Sequence, residues 1–237
     1  MERTMSGGQD ITITGPDGAF GGYLAAPAAG RGPGIVIIQE IFGVNGFVRA
    51  VADSYAARGY FALAPDLFWR IEPNVQLTDK TEAEWKQAFE LMNKFNADTG
   101  IADIQATIAQ LRRMAGCNGK VGAVGYCLGG MLAYLTAART DCDASVGYYG
   151  VNIQNLLGEA KTIRKPLLLH IAEKDQYVSP EAQKQIVDGL KPYPLVTIHT
   201  YPAMDHAFAR TGGEHFDQAN AELANGRTAT FFRQHLS

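Results

Sequence analysis

Polar and apolar positions alternate from Ile11 to Thr14, the turn formers Gly15-Pro16-Asp17-Gly18 intervene, and a second run extends from Phe20 to Ala25. A period of two on either side of a glycine-bearing turn predicts an antiparallel β-hairpin. After the loop Ala28 to Pro33 the pattern changes. Gly34-Ile35-Val36-Ile37-Ile38-Gln39 is apolar without alternation, as a strand must be when helices cover both faces of its sheet. Strands and helices then take turns. A helix is expected near Gly46 to Arg58, a strand at Tyr60 to Ala64, and a helical pair from Lys80 to Ala115 broken around Asn96 to Gly100. Strand Lys120 to Val124, helix Leu128 to Arg139, and strands Ala144 to Tyr148 and Pro166 to Ala172 follow. A helix from Pro180, a strand Leu195 to Tyr201 and a last helix ending near His235 complete the series. Such alternation predicts one α/β domain over residues 1–237, with a mostly parallel central sheet, helices on both faces and an N-terminal antiparallel hairpin. The long insertion Phe68 to Gly100 is the expected lid segment.

Composition narrows the function classes. Of 237 residues 46% are hydrophobic and 19% charged, a balance suited to a packed core and unlike that of a disordered chain. The formal charge of −3 comes from interspersed acids and bases, and no Lys/Arg block is present to track a phosphate backbone, so nucleic acid is excluded as a partner. No apolar run approaches the ~20 residues of a membrane span, and Met1-Glu2-Arg3-Thr4 lacks the basic-then-apolar layout of a signal peptide. A cytoplasmic location is expected. Cys117, Cys127 and Cys142 are an odd number without CxxC spacing, which fits reduced thiols. With no HExxH or paired ligand spacing, neither a metal nor a cofactor is assigned.

Gly125-Tyr126-Cys127-Leu128-Gly129 follows an expected strand and opens an expected helix. That is the nucleophile elbow G-x-S-x-G with cysteine in place of serine. Its glycines let helix and strand approach closely enough to hold the central residue strained, its side chain in the cleft. The alternative, a buried structural cysteine, is the common fate of a free thiol. It accounts for Cys117, in the turn Gly116 to Gly119, and Cys142, in a polar loop, but not for the strand, elbow and helix around Cys127. An elbow predicts an acid after a later strand and a histidine after the last one. Asp175 follows strand Pro166 to Ala172, and His206 follows strand Leu195 to Tyr201. A carboxylate on one ring nitrogen fixes the tautomer of the other and stabilises the imidazolium. Asp205 adjoins His206 too closely in sequence to face it, and Glu173 is the weaker rival to Asp175. His170, His199, His215 and His235 lie in strands or near the final helix, where packing or solvation is expected.

These residues resemble the dienelactone hydrolase family of the α/β-hydrolase superfamily, the carboxymethylenebutenolidases of aromatic degradation. The likeness spans about Gly34 to Phe232 and rests on Gln39-Glu40-Ile41-Phe42-Gly43, Val124 to Gly130, Val146-Gly147-Tyr148-Tyr149-Gly150 and His206 to Gly212. It implies an α/β-hydrolase fold, a catalytic set of Cys127, His206 and Asp175 with Glu40 as a further participant, and an oxyanion hole from the N–H groups of Leu128 and Ile41. In the family this glutamate holds the thiol neutral until substrate arrives, then takes its proton. Arg210 looks like one of two family arginines that grip a substrate carboxylate. The position of the other holds Trp85, with Lys86 or Arg70 as possible substitutes. Phe42, Trp69, Tyr149 and Phe208 are candidate pocket aromatics.

The expected activity is therefore dienelactone (4-carboxymethylenebut-2-en-4-olide) hydrolysis through a cysteine thioester, by a monomer acting on a small-molecule lactone or ester. A broader carboxylesterase or thioesterase on the same scaffold is the alternative, and Trp85 favours it. Outside enzymes, a non-hydrolytic ligand-binding relative or a thiol redox sensor would use the same cysteine. A sensor needs a resolving thiol nearby, and neither remaining cysteine sits in a motif that supplies one.

Overall fold

The computed structural model describes residues 7–237, so the expectation placed on Met1 to Thr4 lies outside the described residues. The hairpin forms from β1 (Gln9–Gly15) and β2 (Gly18–Ala25), paired antiparallel with Ile13 opposite Phe20. Next come β3 (Gly32–Ile38), α1 (Gly46–Ala57), β4 (Phe61–Pro65), α2 (Glu82–Lys94), α3 (Ala97–Arg113), β5 (Cys117–Tyr126) and α4 (Leu128–Arg139). β6 (Ala144–Tyr148), a 3-10 segment (Ile153–Thr162), β7 (Leu167–Ala172), α5 (Pro180–Leu190), β8 (Val196–Tyr201) and α6 (Gln218–Leu236) complete the chain.

One eight-stranded sheet results, in the order β1-β2-β4-β3-β5-β6-β7-β8. The hairpin joins it antiparallel at one edge through β2 and β4, and the strands from β4 to β8 run parallel. Ile35 to Ile38 are wholly shielded from solvent, as are most residues of β4, β6 and β7, which explains their unbroken apolar runs. β8, at the far edge, is only partly covered, with Thr197 and Thr200 exposed.

Register determines where chemistry can sit. Ile38 pairs with Gly125, Tyr126 with Tyr148, Tyr148 with His170, and Ala172 with Tyr201. The parallel strands therefore end in line, and the residues just past each end share one rim: Glu40 and Ile41, Cys127, Tyr149, Asp175 and His206. The carboxyl rim of such a sheet is where α/β folds bind ligands.

Several boundaries differ from the sequence expectation. β5 begins at Cys117, which pairs with Gly32 across a register shift, so this cysteine belongs to a strand and not to a turn. The helical break is confined to Phe95 and Asn96, because the Asn96 side chain accepts from the N–H groups of Asp98 and Thr99 and starts α3 at once. Gly100 lies inside α3 beneath the Phe95 ring, where an added Cβ would meet the ring at 2.4 Å. The 3-10 segment had no counterpart in the sequence reading. Of the insertion Phe68 to Gly100, α2 is the part that overhangs the rim. The preceding loop is tied down by Asp66, which accepts from Phe68 and Asn74, and by Asp103, which binds Trp69 and Arg70. Among the described residues, no helix is long and apolar enough to cross a membrane.

Candidate active site

The bend from β5 into α4 is tight. A Cβ on Gly125 would lie 1.9 Å from the Gly129 carbonyl oxygen, and one on Gly129 would lie 2.4 Å from that of Ile38. Only hydrogen fits at either position. Cys127, between them, adopts φ 57° and ψ −115°, a conformation that costs a non-glycine residue about 1–3 kcal/mol. Its N–H donates to Tyr148 at 3.1 Å, and its carbonyl accepts from Gly130 and Met131 at 2.9 and 3.2 Å. Those bonds over-determine the backbone. Cys127 lines a cavity of about 620 Å³ together with Ile41, Leu128, His206 and Arg210. The N–H groups of Ile41 and Leu128 have no hydrogen-bond partner among the described residues. Leu128 is also the first residue of α4, where the helix dipole favours negative charge.

His206 is buried, and its Nδ1 lies 2.8 Å from Asp175 Oδ2. The other Asp175 oxygen accepts from the Tyr177 N–H at 2.8 Å, which fixes the carboxylate plane. Asp205 instead accepts from the N–H groups of Gln176 and His206, bracing the loop, and Glu173 is exposed. Burial opposes protonation of His206. The nearby Cys127 and the hydrogen-bonded carboxylate of Asp175 outweigh burial and push the imidazole up to about 10. The group is thus set to carry a proton beside the sulfur.

Glu40 is paired with Arg210. Its Oε2 accepts from Arg210 Nη1 at 3.1 Å, its Oε1 has no partner, and no hydrogen bond joins it to Cys127 among the described residues. Arg210 also donates from Nη2 to Asp79 Oδ2 at 3.1 Å, while its buried Nε is unpartnered. One guanidinium therefore serves two carboxylates, and it sits 5.3 Å from the Phe42 ring centre. Trp85 lines the cavity, edge-on to Phe42 at 5.0 Å and stacked on Phe89 at 5.6 Å.

Other expected pocket residues lie elsewhere. Tyr149 is not on the wall of the main cavity. It stands behind His206, edge-on at 5.1 Å, with Asp175 on a small cavity of its own, because the turn after β6 (φ 38°) folds the ring inward. Phe208 is fully buried between Tyr149 and Tyr201. Trp69 stacks on Phe20 near the hairpin, Arg70 pairs with Asp17 and Asp103, and Lys86 is exposed, so neither base replaces an arginine at Trp85.

The sequence reading missed Tyr177, which is 44% exposed and edge-on to His206 at 4.8 Å. It also missed Phe89 and Met92 on α2 and Met131 and Leu135 on α4. Spacing from Leu128 could have found the last two; Tyr177 lies in a polar turn with no periodicity to betray it. A second cavity of about 370 Å³ bears Asp79, Glu82, Glu214 and His215, and meets the first at Trp85, Phe89, Tyr177, His206 and Arg210.

The parallel sheet, its carboxyl rim and the strained elbow define an α/β-hydrolase. The chain belongs to the dienelactone hydrolase family, whose model matches residues 20–236. A relative from Azospirillum brasilense is 52% identical over 230 residues, covering 96% of this chain and 99% of its own. The carboxymethylenebutenolidase of Pseudomonas putida is 39% identical over 224 residues, covering 94% and 95%. A crystal structure of a candidate dienelactone hydrolase from Klebsiella pneumoniae subsp. pneumoniae superposes with a TM-score of 0.84 at 24% identity, over 96% of this chain and 98% of that one. At that identity the likeness speaks to the fold.

Proposed function

We propose that this hydrolase opens dienelactones of the carboxymethylenebutenolide type, and related activated esters, through a thioester on Cys127. The observation that carries the reading is the buried imidazole of His206, bonded to Asp175 and electrically coupled to Cys127 on a shared cavity. The thiolate attacks the carbonyl carbon, and the N–H groups of Leu128 and Ile41 receive the oxyanion. As the carbon–oxygen bond breaks, His206 gives its proton to the leaving enolate or alkoxide. The acylated sulfur is neutral, so the charge of Cys127 no longer raises His206 and its hold on a proton weakens. His206 then takes a proton from water, hydroxide attacks the thioester, and the carbon–sulfur bond breaks to restore the thiolate. One histidine serves as acid and then as base because the nucleophile's charge sets its affinity for the proton.

Phe42 and Trp85 bound the substrate, and Tyr149 positions His206 from behind. Arg210 meets the substrate carboxylate by exchanging one of its two present partners, Glu40 and Asp79, for it. A carboxylate that draws the guanidinium from Glu40 frees that base to help pass the proton of a neutral Cys127 to His206, which yields the thiolate and imidazolium of the first step. The same reading takes residues 1–237 as one catalytic unit with α2 as its cover, a cytoplasmic monomer that needs no cofactor. Mass spectrometry after rapid mixing with a dienelactone tests it. An acyl adduct on Cys127 is expected, and Cys127→Ala should be inactive; retention of hydrolysis by that variant would refute the scheme.

A second reading, a broader carboxylesterase or thioesterase, is favoured by two observations: Trp85 where the family likeness expects an arginine, and an Arg210 already engaged by two carboxylates. Turnover of a carboxylated dienelactone against a neutral aryl ester separates the two.

A further inference from the structure

We infer that the cavity arm running from Cys127 along α4 is a subsite for an uncharged aliphatic or aryl chain on the acyl side of the substrate. The inference rests on the thioester reading and adds a substrate class to it. Two helices build the arm. α2 turns Trp85, Phe89 and Met92 inward at i, i+4 and i+7, and α4 opposes them with Leu128, Met131 and Leu135 at i, i+3 and i+7, each set a single stripe of its helix. Thioether side chains on both walls adapt to apolar ligands of varied shape.

Length follows from helix geometry. Leu128 to Leu135 spans about 10 Å at ~1.5 Å per residue, and an extended chain advances about 1.2 Å per bond, so the apolar stretch holds about eight carbons. Beyond it Arg139 closes the arm, its guanidinium held by Glu159 at 2.5 Å and Asp98 at 2.7 Å. Two carboxylates already match that cation, so a terminal anion on the chain gains nothing there. A volume of about 620 Å³ lies within the range that buries drug-sized ligands, ~300–1,000 Å³, and a monocyclic lactone with a short acidic tail fills little of it.

Direction follows from the chemistry. The leaving oxygen must face His206 to receive its proton, and His206 opens onto the second cavity with Asp79, Glu82 and Glu214. The acyl carbon, bonded to sulfur with its oxygen at the Leu128 N–H, then points its substituent along α4.

The test compares kcat/KM for p-nitrophenyl acetate and p-nitrophenyl octanoate. The octanoate is expected to be favoured by about a hundredfold, part of the transfer free energy of its extra methylenes. Met92→Trp and Leu135→Trp, from opposite walls, should each cut the octanoate-to-acetate ratio about tenfold or more, and the partly exposed Met92 guards against a folding failure at buried Leu135. A native ratio near one, or a ratio that neither folded variant changes, overturns the proposal. Intact-protein mass spectrometry with the acetate ester keeps the two claims apart: no adduct on Cys127 sinks the thioester reading, whereas an adduct with a flat ratio sinks only the arm.

Discussion

His206 keeps its proton to about pH 10 against the pull of burial, and Cys127 and Asp175 are responsible. kcat/KM on an activated ester should therefore hold from neutral pH toward 10 and fall above it, as the leaving group loses its proton donor. Asp175→Asn removes two of the raising influences. Its basic limb should move to lower pH and its rate should drop by at least about a hundredfold, as a pH–rate profile of both proteins would show; an unmoved limb would mean that Asp175 does not govern the imidazole. Arg210 carries a different kind of burden. Arg210→Ala leaves Glu40, 1% exposed, without its cation, and loss of one member of a buried pair destabilises by about 3–5 kcal/mol. Urea unfolding should register that loss, so rates for this variant must be read beside its stability. Cys127, Asp175 and His206 were legible in the sequence because each follows a strand end at a place the elbow topology dictates. The pairing of Glu40 with Arg210 was not, since it joins residues 170 positions apart.

α3 depends on a single side chain for its start. Asn96→Ala deprives Asp98 and Thr99 of their acceptor and should lower stability by about 1 kcal/mol, a Tm decrease of roughly 2–4 °C by calorimetry. Gly129→Ala acts at the opposite end of the scale, forcing a Cβ against the Ile38 carbonyl oxygen at 2.4 Å. The start of α4 would have to leave β3 and carry the Leu128 N–H with it, so activity should fall further than thermal stability alone explains. Long periodic elements were readable from pattern: the helix Leu128 to Arg139 and the strand Ala144 to Tyr148 have the expected bounds. The 3-10 segment was not, because ten residues with one apolar stripe and no cap signal look like loop. β5 was read three residues short at its start and two at its end; Cys117-Asn118-Gly119 has turn composition and becomes strand only through its neighbour Gly32.

At the scale of the molecule, His170 ties the sheet to α6. Its Nδ1 lies 2.7 Å from the Tyr201 hydroxyl on β8 and its Nε2 lies 2.9 Å from Thr228 on α6. Burial, with help from His199 and Arg227, holds it well below the usual histidine value. In the unfolded chain it titrates near 6.5. Between those two values the unfolded state binds the extra proton, so stability falls as pH drops below about 6.5, by at most ~1.4 kcal/mol per pH unit, and is fully present above it. His199 and His235 are lowered too and add in the same sense. Urea melts between pH 7 and 5 should show a shallower decline for His170→Gln; parallel slopes would remove His170 from the acid response. The paired cavities bear on what becomes of a cyclic substrate. A ring-opened lactone keeps its departing oxygen tethered to the acyl group, where it competes with water to close the ring again. Once His206 has protonated it, that oxygen is a poor nucleophile, and the second cavity beside His206 gives it room to withdraw and water a way in, so ring opening should run in one direction.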